Sequence, residues 1–129
     1  MVSRSDILRY CMEEHGTVSE KPWPEFPTNE VLRQVHGRKW YALIMNISRD
    51  KLKVENREEQ NKQDDEDLNV DVMNVKCDPE MIPFLLSQKG FAAAYHMNKT
   101  HWITIILDGS VADEEIYSLL EQSYDMTLK

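Results

Sequence analysis

The chain has 129 residues, 29% of them charged and 41% hydrophobic, with a formal net charge of −8. That length fits one globular domain over 1–129, with a core that needs neither disulfides nor a structural metal. So acidic a chain is not expected to coat nucleic acid by bulk electrostatics, which draws on clustered Lys and Arg.

Ser3 to Glu14 reads as a helix, with Ser3 and Ser5 as candidate N-caps, Ile7, Leu8, Cys11 and Met12 on one face, and Gly16 as its stop. The three prolines of Lys21 to Pro27 forbid a regular element, so an extended loop held by Trp23 and Phe26 is expected. Val31 to Val35, a turn at His36 to Lys39 and Trp40 to Ile47 form a β-hairpin. An acidic, mobile loop over 55–67 follows. Val70 to Cys77 alternates as a strand, setting Val70, Val72 and Asn74 against Asp71, Met73, Val75 and Cys77. Asp78 as N-cap and Pro79 at the first helical position start a helix that runs to about Lys89. Phe91 to Met97 and His101 to Leu107 form a second hairpin, and Ser110 with Asp113 opens a last helix whose face is Ile116, Leu119, Leu120 and Tyr124. The order α-β-β-β-α-β-β-α favours a two-layer α+β fold: a mainly antiparallel sheet of about five strands with three helices.

Charge is unevenly spread. Glu55 to Asp67 holds seven acids against Arg57 and Lys62, a local −5, whereas Arg33 to Lys53 holds six bases and one acid, a local +5. This is either a basic binding hairpin beside an acidic loop or a pair of solvated, mutually attracting segments. Two cysteines, Cys11 and Cys77, make no disulfide framework and suit a reducing cytoplasm. The first residues lack a signal-like apolar core, and the longest apolar runs are too short to span a bilayer, so a cytoplasmic protein without membrane contact is expected.

The densest functional chemistry lies in Ala94 to Trp102. With Asn98-Lys99 as a two-residue turn, Met97 would pair with Thr100, His96 with His101 and Tyr95 with Trp102, placing the two histidines side by side. Tyr95 and Trp102 would offer rings for a flat ligand, with Lys99 at the tip for a phosphate. The plainer alternative is that the aromatics cap the core, Asn98 makes the turn and the histidines bond to backbone. Two histidines alone do not make a metal site. Cys77, just before a helix N-terminus, is a candidate nucleophile with His96 or His101, or else a small buried thiol. None of the four glycines lies in a phosphate-cradling pattern, so no cofactor is implied.

Together, Tyr10-Cys11 and Gly16, Lys39 to Ile44, Asn74 to Glu80, Tyr95 to Trp102, Leu107 to Ser110 and Ser123-Tyr124 resemble the MmcQ/YjbR family of small bacterial proteins over nearly the whole chain. The resemblance implies a two-layer α+β fold similar to frataxin and type III secretion chaperones, and a double-wing DNA-binding likeness whose wings would be Arg33 to Lys53 and Tyr95 to Trp102. Ala92-Ala93-Ala94 departs from the proline that family members often carry there, and the acidic loop runs against DNA binding. The expectation is a non-enzymatic binding module. DNA would meet Arg33, Arg38, Lys39 and Lys99, and the ligand patch would be Tyr95, His96, Asn98, Lys99, His101 and Trp102. The rival is a protein-interaction or chaperone-like module, or a homodimer, using a sheet face with Trp40, Met97 and Trp102.

Overall fold

The computed structural model describes residues 1–52 and 69–128; the acidic stretch expected as a mobile loop lies outside them. Helix α1 spans Arg4–His15. Its start is a capping box: Ser3 accepts from the Asp6 backbone and the Asp6 carboxylate accepts from Ser3, satisfying two orphan ends. Gly16, at φ 67°, takes the left-handed stop that ends it.

Strands β1 (Glu30–Arg33), β2 (Trp40–Ser48), β3 (Asn69–Lys76), β4 (Phe91–Ala93) and β5 (Trp102–Ile106) form one antiparallel sheet in the order β1-β2-β3-β5-β4. Helix α2 is Ile82–Leu86 and α3 is Asp113–Met126. Glu20 bridges Val31 through a reciprocal pair of backbone hydrogen bonds, at 3.0 and 2.8 Å, along the outer side of β1. Among the described residues no helix is long and apolar enough to cross a membrane.

Period-2 alternation divides the sheet into two apolar faces. Ile44, Met73, Val75, Ile103, Ile105 and Phe91 pack with α1 and α3 through Ile7, Cys11, Ile116, Leu119 and Leu120. Val31, Leu43, Met45, Val72, Ala92 and Ile106 form the opposite face, against which Trp23, Trp40, Tyr95 and Met97 pack. One register shift serves the helix side. Leu32 faces Ala42 but Arg33 faces Trp40, so Tyr41 is the extra residue of a bulge. Tyr41 consequently joins the helix-side core, where its hydroxyl donates to Thr17 at 2.6 Å.

Two expected helix starts are corrected. Asp78 accepts from the Glu80 N–H at 2.9 Å in a turn, and α2 begins only at Ile82. A helix running from Pro79 would put the Pro83 ring against the carbonyl of residue 79, so Pro83 instead takes its place in a later first turn. Ala112, not Ser110, stands at the N-cap of α3, and no side chain caps it. Asp113, Glu114 and Glu115 in the first turn complement the helix dipole there.

Arg4 ties α1 to two strands, meeting Glu30 at 3.0 Å and Asp71 at 3.0 Å and also the Thr28 carbonyl. Burial alone would raise the Asp71 carboxyl, but Arg4 and the Asn46 amide outweigh it and hold it below the usual carboxylate range. Because the folded value is depressed, this contribution is present above the unfolded value near 3.8 and is lost as pH falls through the folded one. In acid titrations followed by circular dichroism, Asp71→Asn is expected to lie below the parent at neutral pH and to converge with it in acid. A constant gap at all pH values would remove Asp71 from that account.

Gly90 opens β4 at φ 96°, and a Cβ there would lie 2.5 Å from Val111 Cγ2. Gly90→Ala is therefore expected to cost at least about 2 kcal/mol in urea unfolding, from backbone strain plus overpacking.

Candidate functional site

The face of the sheet turned away from the helices is crossed by the segment that the sequence marks out. Hairpin pairing between β4 and β5 stops at Ala93 opposite Ile103. Continuing it would set the backbone of Tyr95 against His101, but side chains take both Tyr95 groups instead. The Tyr95 N–H donates to Thr104 Oγ1 at 3.1 Å, and its carbonyl accepts from Asn74 Nδ2 at 2.8 Å. Thr104 Oγ1 in turn donates to Asn74 Oδ1 at 2.5 Å. Asn74 and Thr104 have no exposed surface. The result is a closed polar network in an apolar layer, and it draws the chain off the hairpin edge and over the sheet.

The expected tight turn and histidine pairing are thus corrected. The connection covers 94–101, and His96 takes a left-handed backbone, φ 63°. Histidine tolerates that region better than most side chains, and such outliers cluster at functional loops. The Tyr95 and His96 rings lie 3.9 Å apart at 45°. Asn98 is indeed a turn residue: its side chain accepts from the Thr100 and His101 N–H groups at 2.8 and 3.1 Å, and its carbonyl from Trp102 at 3.0 Å.

Crossing the face, the segment walls a groove of about 290 Å³. Trp23, Phe26 and Asn29 of the proline-rich loop form one side, Trp40, Leu43 and Met45 of β2 the floor, and His96 and Met97 the other side. Trp23 and Trp40 meet edge to face at 5.7 Å, which fixes both indoles. Phe26 is 57% exposed at the rim rather than an anchor of its loop. Two further concavities adjoin. One, of about 420 Å³, shares Phe26, Asn29, Met45 and His96 with the groove and adds Lys51; the other, of about 230 Å³, is lined by Lys51, Ala93, Ala94, Tyr95, His96 and Lys99.

The expected ligand patch is therefore split. Tyr95, His96 and Lys99 line these concavities, whereas Asn98 is spent on its turn and His101 and Trp102 line none of the three. The expected nucleic-acid residues do not converge either. Arg33 faces Glu20 at 3.2 Å, without hydrogen-bond alignment, and lies 5.9 Å from the Trp40 ring. Arg38 and Lys39 are exposed on the β1–β2 turn and line none of the cavities that hold Lys99. Of the sheet-face trio, Trp40 and Met97 share the groove and Trp102 stands outside it.

Cys77 is buried, and its burial together with Asp78 pushes the thiol up, away from a nucleophilic thiolate. Among the described residues no three His, Cys, Asp or Glu side chains gather to hold a metal ion. Sequence reasoning missed Trp23, Phe26, Asn29, Leu43, Met45 and Lys51 as site residues. An aromatic placed between prolines, Trp23 to Pro27, was the one local signal for this wall.

Asn74→Ala leaves the Tyr95 carbonyl and the Thr104 hydroxyl without their buried partner, at an expected cost of about 1 to 3 kcal/mol. Amide hydrogen exchange is the sharper readout: 94–101 is expected to lose protection while β2 and β3 keep theirs. Uniform loss would mean that the network supports the core rather than the loop.

Comparison with known proteins agrees with this architecture. The YjbR family model matches residues 13–126. The uncharacterized protein YyaQ of Bacillus subtilis is 36% identical over 127 residues, covering 98% of this chain and 99% of that one. The uncharacterized protein YjbR of Escherichia coli K12 is 30% identical over 125 residues, 96% of this chain and 86% of its own. A crystal structure from Pseudomonas syringae superposes with a TM-score of 0.85 at 36% identity, covering 98% of this chain and 99% of that chain. One from Deinococcus radiodurans gives 0.71 at 26% identity, covering all of this chain and 80% of the other. With the fold shared and the family match running from the last turn of α1 to the end of α3, the chain belongs to the YjbR family.

Proposed function

We propose that this chain is a non-enzymatic binding module whose ligand seats in the aromatic groove between the proline-rich loop, β2 and the crossing segment. The observation that carries the reading is the way the groove is held open. Its far wall is fixed by the buried Asn74–Thr104 network, and its two indoles are fixed by each other, so a preformed concave site exists before any ligand arrives. The lining offers apolar contact and stacking, with His96 as its one titratable side chain. Acid–base and nucleophilic chemistry depend on paired groups, which this lining does not supply.

A second reading, nucleic-acid binding, is favoured by Lys51 and Lys99 in the adjoining cleft, where they could meet phosphates while bases stack on the groove aromatics. The double-wing form of that reading gains nothing from the second hairpin, whose loop lies on the sheet face instead of projecting.

Trp40→Ala is expected to diminish ligand-induced changes in tryptophan fluorescence, leaving Trp23 as the reporter, and to weaken binding by about tenfold or more, while keeping the folded circular dichroism spectrum. For nucleic acid, anisotropy titrations of labelled single and double strands should weaken with salt, and Lys99→Ala should flatten the salt slope by about one. Absence of binding at low salt would discard the second reading and leave the first.

A further inference from the structure

We propose, resting on the groove reading above, that the ligand is a small amphipathic anion. Its ring-sized apolar body lies between Trp23, Trp40 and Met45, and its carboxylate or phosphate is held by Lys51 and Lys99 beyond His96. The three concavities run in series, and His96 lines all of them. They lead from a floor of Trp40, Leu43 and Met45 to a cleft whose two charged side chains are both ammoniums.

Arg4, Arg9, Arg33 and Arg49 each face a carboxylate, whereas Lys51 and Lys99, like the other described lysines, form no ion pair among the described residues, and among those residues no acid lines the cleft that these two share. In a chain of net charge −8, a cleft whose charged lining among the described residues is two lysines is a local inversion. Positive charge set at the end of an apolar groove selects a ligand with an anion at one end.

Size argues for a small molecule over a polymer. The groove and the cleft, at about 290 and 230 Å³, each hold one chemical group, and with the intervening concavity of about 420 Å³ they reach the scale of a small-molecule site. A nucleic-acid strand would need a continuing basic track, and Arg38 and Lys39 line none of these concavities. The left-handed backbone of His96 places its ring at the junction, tilted on Tyr95, where it separates the apolar end from the charged one.

The test is a titration of the full chain, followed by amide and indole N–H chemical shifts, with 3-phenylpropionate, its neutral amide 3-phenylpropionamide, and phenyl phosphate. The acid is expected to bind about tenfold more tightly than the amide, with the advantage shrinking at higher salt. The double variant Lys51→Gln/Lys99→Gln should erase that advantage while leaving the amide's affinity unchanged. Both side chains are exposed, so the fold is not at stake. Tighter binding of phenyl phosphate would assign the anion as phosphate, and tighter binding of the acid as carboxylate. Equal affinity for acid and amide would overturn the anion while sparing the groove. No shift of the Trp23 and Trp40 indoles with any probe would overturn both. An oligothymidylate that binds more tightly than the small probes, with a salt slope of several, would overturn the small-molecule assignment in favour of a strand.

Discussion

A backbone amide and carbonyl on the same residue, Tyr95, have to be satisfied somewhere, and in this protein they are satisfied by Asn74 and Thr104 instead of by the next rung of a hairpin. An unpaired buried backbone group is costly, so where those partners lie decides where the chain goes. Because the partners sit on β3 and β5 and point away from the helices, the segment is drawn across the centre of the sheet. The groove, the left-handed turn at His96 and the cleft of the two lysines all follow from that displacement.

The two faces of the sheet consequently do different work. The helix side is a dry core, completed by the bulge that turns Tyr41 inward and by Ser123, whose hydroxyl donates to the Tyr41 carbonyl at 2.6 Å. The other side is apolar too, but loops cover it, and loops leave gaps where helices would interdigitate. Burial of Leu43, Met45 and Val72 supports the fold from that side, while half-buried Trp23, Trp40 and Met97 are left with open surface. Dense packing and open apolar surface are thereby placed on opposite faces of one sheet.

How much of this was legible depends on the range of the interaction. The N-cap at Ser3, one of the two candidates, the stop at Gly16, the hairpin of β1 with β2 and the alternation of Val70, Val72 and Asn74 against Met73 and Val75 are local patterns, and they emerged as read. The helix start at Asp78 failed because Pro83 lies within what would have been its second turn. The 94–101 connection failed for a different reason. Asn-Lys is a sound local turn signal, but its competitor was Asn74, which lies 21 residues from Tyr95 in sequence. Nothing near Tyr95 announces that partner. The groove suffered most, since its walls come from three distant segments, and Lys51 acquires its meaning only through Lys99.

Glu20, paired with Val31 on the outer side of β1, has a bearing on how copies of the protein meet. It occupies the hydrogen-bonding groups that one margin of the sheet would offer to a neighbouring strand, and at the other margin β4 has only three residues. Open strand margins template pairing between molecules, and this sheet offers little length at either. Self-assembly by sheet extension, the common route from a small antiparallel sheet to a fibre, is thus discouraged. A second copy that used the sheet would have to approach its open face, where Trp23 and Trp40 wall the groove.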